Sequence, residues 1–75
     1  MMVDTALLDY LAEVEAMMRC GRDMQRHALR LRHPLPEPER NGALGDIRRV
    51  AKTLKLRCEA LTGAAFQVLD AVNQL

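Results

Sequence analysis

The residues of this chain best suited to act on a ligand are its cations. Arg19, Arg22 and Arg26 stand in one stretch, and Arg48, Arg49, Lys52 and Lys55 in another. A guanidinium binds a phosphate through two parallel hydrogen bonds, and each neutralised phosphate releases a counterion, so these seven residues form a candidate nucleic-acid contact. Two features argue against it. The net charge is only +1, and Tyr10 and Phe66 are the only aromatic residues, so unstacked bases have almost no platform.

Other chemistries fare worse. Cys20 and His27 would lie two helical turns apart, too far to share one ion, and His33 stands alone before the prolines, so no metal site is expected. Cys58 falls at a core-type position, where a thiol acts as a small apolar filler. Cys20 lies near arginines but has neither a base nor a resolving thiol. Glu13 and Glu15 point in different directions on a helix, and no glycine-rich loop follows a strand. The sequence therefore predicts a protein that is not an enzyme, with no catalytic residues and no cofactor.

Two amphipathic helices must carry these side chains. Val3, Leu7, Tyr10, Val14, Met17, Gly21, Met24, Ala28 and Leu31 step by four and three. The same spacing joins Leu44, Ile47, Ala51, Leu54, Cys58, Leu61, Ala65, Val68, Val72 and Leu75. Folding the chain back between them pairs residues whose numbers sum to 75, which sets Met24 on Ala51, Met17 on Cys58, Tyr10 on Ala65 and Gly21 on Leu54. Large side chains then face small ones, as a packed seam requires. Asp4 or Thr5 is the expected cap of the first helix. Pro34, Pro36 and Pro38 are expected to keep their segment non-helical. The prediction is an all-α antiparallel two-helix hairpin over residues 1–75 as one domain, with helices at 4–32 and 43–74 and a proline-rich loop at 33–42. Asp46 is expected in the first turn of the second helix.

A chain of 75 residues has little core, and in a lone hairpin each helix has only one neighbour. The apolar stripes are also wider than a two-stranded seam needs. Ala6, Glu13, Cys20 and His27 with Ala43, Val50, Arg57, Ala64 and Ala71 form one flank, rich in small side chains; Leu11, Met18 and Leu69 begin the other. A dimer of hairpins forming a four-helix bundle is the economical consequence. Phe66 falls outside the seam, and Leu11, Met18, Val50, Phe66 and Leu69 are the expected association surface. The predicted function is protein–protein association, in an adaptor or regulatory role. A heterologous protein helix is the other expected occupant of that surface, and nucleic acid the less favoured partner.

Charge patterning bears on the same assembly. Residues 1–18 hold four acids and no base, whereas residues 19–33 hold five arginines against Asp23. The second helix carries its bases early, with Glu59 and Asp70 as its only later charges. The folded hairpin should be a rod with a basic loop end and an acidic terminal end. Two hairpins with loops at opposite ends would place unlike halves side by side.

The alternation of Ala51, Cys58 and Ala65 with Leu54, Leu61 and Val68 resembles the Rop family of small RNA-binding regulators, built from two hairpins with alternating small and large layers. The resemblance covers the helical architecture and implies RNA binding as the alternative function. No motif carries that family's RNA-contacting residues onto this chain, and the loop here is longer and richer in proline. The chain is also similar, at the same coarse level, to the small helical-hairpin chaperones of bacterial type III secretion systems, which implies covering the apolar face of a partner helix. The amino terminus has Asp4 and Asp9 and no base before Arg19, unlike a signal peptide, and no apolar run is long enough to span a bilayer. A cytoplasmic protein with two reduced thiols and no membrane association is expected.

Overall fold

In the computed structural model, which describes residues 2–75, helix α1 runs over Val3–Leu29, a 3-10 turn covers Arg30–Arg32, and helix α2 runs over Glu37–Asn73. The helices pack side by side, antiparallel, in a rod with principal extents of 58 × 14 × 12 Å. The all-α hairpin expected from the heptads is what the chain forms, and no strand occurs among the described residues. No helix is long and apolar enough to cross a membrane.

Helix α2 begins six residues earlier than the prolines suggest, so the loop is residues 33–36 rather than 33–42. Pro36, extended at φ −54° and ψ 151°, precedes the first turn, and Pro38 falls inside that turn. There the amide hydrogen that proline lacks has no intrahelical acceptor, so a proline starts the helix instead of breaking it. Arg40 N–H donates to the Pro36 carbonyl at 2.9 Å. Glu37 and Glu39 place negative charge in the same turn, where the helix dipole favours it. Asp46 therefore lies beyond the first turn and does other work. At α1, Met2 is the residue before the helix and makes no side-chain cap, so the expected Asp4 or Thr5 cap is not formed. Asp4 sits in the first turn instead, and Ala6 N–H donates to the Met2 carbonyl at 3.1 Å.

The seam itself is turned from the one the heptads suggest. Its buried residues are Ala6 and Cys20 on α1 and Ala43, Val50, Ala64 and Ala71 on α2. Val3, Tyr10, Val14, Met17, Met24 and Leu31 are half-buried, as are Ile47, Leu54, Leu61 and Val68. These ten belong to the expected ladders, but the positions alternating with most of them are the small-residue flank. Leu7, Gly21, Ala28, Leu44, Ala51, Cys58, Ala65 and Val72, expected inside, are exposed. The layers summing to 75 are thus not built. Both ladders have the same 3.5-residue period, and a wide apolar stripe fixes which side of a helix is apolar without fixing its centre. Alanine at the seam lets the two backbones approach closely, since interaxial distance follows the size of the side chains between them.

Four residues change roles with this rotation. Cys20 is buried, with its thiol donating to the Val50 carbonyl at 3.7 Å, and Cys58 is exposed, the reverse of the expectation. Val50 is buried between the helices and does not belong to an outer association surface. Gly21 has open space where a Cβ would stand, so no close approach across the seam explains it; the same is true of Gly63.

Candidate functional site

Placing small residues between the helices leaves two unlike grooves, one along each side of the seam. On α1, Gly21 and Ala28 follow the seam residues Cys20 and His27 by one position, and Arg19 and Arg26 precede them. On α2, Ala51 and Ala65 follow Val50 and Ala64, and Arg49 precedes Val50. A step of one residue turns a helix by about 100°, and the antiparallel arrangement sends "before" to one side of the hairpin and "after" to the other.

The "after" side is apolar. Tyr10, Leu61, Thr62, Ala65, Phe66 and Leu69 line a groove of about 370 Å³ near the chain ends. Phe66 is 62% exposed, Met18 57%, Leu11 55% and Leu69 53%, and Leu7, Leu44 and Val72 are also open. No large side chain anywhere in the described hairpin is fully buried. Four of the five residues expected at an association surface are therefore exposed, and Val50 is not. Sequence reasoning missed Leu7, Leu44 and Val72 as surface residues because it assigned their ladder to the interior.

The "before" side is charged. Arg19 and Arg26 from α1, with Arg49 and Arg57 from α2, line a groove of about 450 Å³ whose floor includes Ala16, Cys20 and Val50. Arg26 pairs with Asp23 at 2.8 Å and Arg49 with Asp46 at 3.3 Å, whereas Arg19 and Arg57 make no ion pair among the described residues. Asp46 is the electrostatic tie across the seam. Its carboxylate accepts from Arg30 at 3.2 Å and lies 3.8 Å from His27 Nδ1, so it joins the end of α1 to α2. Of the seven cations singled out in the sequence, Arg19, Arg26 and Arg49 converge on this groove. Arg22, Arg48, Lys52 and Lys55 do not line it, and Arg57, at a seam position, joins it instead.

The same side changes character toward the chain ends, where Asp9, Glu13, Gly63 and Gln67 help line a shallower depression. Glu13 enters the seam, and its Oε2 is buried with no hydrogen-bond partner, an arrangement that costs on the order of 1–3 kcal/mol. All eleven bases lie between residues 19 and 57, together with four acids; the other six acids occupy the ends of the chain with no base among them. The rod is strongly dipolar although its net charge is +1.

Among the described residues, no group of three or more His, Cys, Asp and Glu side chains is arranged to hold a metal ion. The geometry defines an all-α helical hairpin with one apolar and one arginine-lined side. No protein-family model matches the chain, and no match arises among the curated proteins or the solved structures.

Proposed function

We propose that this protein is a non-enzymatic association module whose apolar side is covered by a second copy of the chain, giving a four-helix bundle with an adaptor or regulatory role. The observation that carries this reading is the uncovered ladder of Leu7, Leu44 and Val72 flanked by Leu11, Met18, Phe66 and Leu69. Large apolar side chains left exposed together along one side of a helical hairpin form a helix-packing surface lacking its neighbour. The dipolar charge supports a copy as the occupant. Two hairpins with loops at opposite ends bring each basic half beside an acidic half, whereas loops at the same end oppose like charges. Two free cysteines support a reducing, cytoplasmic setting.

Cys58 provides a native reporter of the interface, because it lies on the uncovered ladder and is exposed in the single hairpin, while Cys20 is buried. Maleimide should label Cys58 rapidly at high dilution and at least tenfold more slowly at concentrations where the copies pair. Labelling that is fast and independent of concentration would mean that no second copy covers this side. Protection that appears only with another protein's helix would favour a chaperone-like use of the same surface.

A further inference from the structure

We propose that the arginine-lined groove is a second, separate binding site, which takes the phosphate backbone of a double-stranded nucleic acid without reading its sequence. The inference does not rest on self-association, because this groove lies on the side of the hairpin opposite the apolar ladder and stays open when that ladder is covered. Its strongest support is the pair Arg19 and Arg57. They come from different helices, line one groove and make no ion pair among the described residues. Arg26 and Arg49 stand beside them, each paired with a single exposed or half-buried aspartate that a phosphate can replace as acceptor; Asp23 itself lines the groove, so its carboxylate must release Arg26 and turn to solvent as the phosphate enters.

Rigid helices set the spacing of these groups. Arg19 and Arg26 are seven residues apart and Arg49 and Arg57 eight, which at about 1.5 Å per residue spreads each pair over roughly 10–12 Å along the rod. A duplex presents about one phosphate charge per 1.7 Å of its axis, so several phosphates fall within that reach. Guanidinium groups suit them through paired hydrogen bonds. The class of ligand follows from what the groove lacks. It has no Phe, Tyr or Trp, its one ring, His27, is mostly buried and held near Asp46, and Tyr10 and Phe66 line the other groove. Single strands draw much of their affinity from base stacking, so the site favours the charge density of a duplex and binds RNA and DNA alike. The acidic chain ends repel phosphate and confine contact to the half of the rod near the loop.

The test is fluorescence anisotropy of the full chain with labelled RNA and DNA duplexes of about 20 base pairs in two unrelated sequences. Arg19→Glu with Arg57→Glu is compared with Arg48→Glu with Lys52→Glu, which makes the same charge change outside the groove. Circular dichroism confirms that each variant stays helical. The wild type should bind all the duplexes with similar affinity and lose roughly a hundredfold between about 50 and 200 mM salt, as four phosphate contacts imply. The groove pair should weaken binding at least tenfold and the control pair less than threefold. Equal losses from both pairs would overturn the site and leave only net charge. Absence of duplex binding, or preference for a phosphorylated or acidic peptide over the duplexes, would overturn the ligand class.

Discussion

If a second copy covers the apolar side, Phe66→Asp should convert the pair into single hairpins that remain helical. Phe66 is largely exposed in the hairpin, so its replacement removes little that holds α1 to α2. In a symmetric pair it counts twice. Burying a large apolar side chain contributes about 2 kcal/mol, so losing both copies weakens pairing by about 4 kcal/mol, close to a thousandfold in dissociation constant. Desolvation of the new carboxylates adds to this loss. Sedimentation equilibrium gives the dissociation constant, and circular dichroism on the same samples verifies that the helices persist. Leu69→Asp should act in the same direction. If Phe66→Asp leaves the assembly intact, the second copy does not lie on this side.

Val50→Asp has the opposite signature: it unfolds the hairpin itself. Val50 is one of six buried residues among those described, and its carbonyl accepts from the Cys20 thiol in the middle of the seam. The side chain also floors the arginine groove, so a carboxylate there is drawn out of the seam toward the arginines, and the lost apolar packing between the helices costs about 2–3 kcal/mol. A domain of this size has only a few kcal/mol to lose. Helical circular dichroism should collapse at concentrations where Phe66→Asp is still folded. The contrast between the two variants separates the inner seam from the outer surface; a folded but dissociated Val50→Asp would restore Val50 to the outer surface, where its sequence position had suggested it.

That contrast also marks how far the fold was legible in the sequence. Heptad spacing located both helices, because the 3.5-residue period survives any rotation of the helix about its axis. It did not identify which of two adjacent ladders lies inside. Leu7 and Leu44 are larger than Ala6 and Ala43, so matching large side chains with small ones favoured the ladder that proves to be exposed. The decisive quantity is how closely two backbones approach, which depends on the pair of helices together and cannot be read from either alone. The early start of α2 has a local explanation: Pro36 and Pro38 stand where a helix begins, and the acids Glu37 and Glu39 beside them were the available signal. Arg57 shows the same ambiguity on the charged side. It occupies a seam position, yet it opens onto the groove that holds Arg19, Arg26 and Arg49, and only the packed hairpin brings the four together.

Once the small-residue seam is fixed, the two sides of the molecule separate by chemistry. Leu11, Met18, Phe66 and Leu69 line up with Leu7 and Leu44 as one apolar surface, and Arg19 and Arg57 line the groove on the other side. The charge dipole along the rod then supplies a direction for pairing that the apolar surface alone does not. High salt should accordingly weaken pairing even without a ligand.

The most direct measurement is the mass of the native chain in solution by light scattering over a wide dilution range. Pairing through the apolar side should give a helical species of twice the 8.5 kDa chain mass that dissociates on dilution and on Phe66→Asp. A species that stays at 8.5 kDa at every concentration, helical and free of aggregates, would contradict it, because the exposed ladder would then need no second copy.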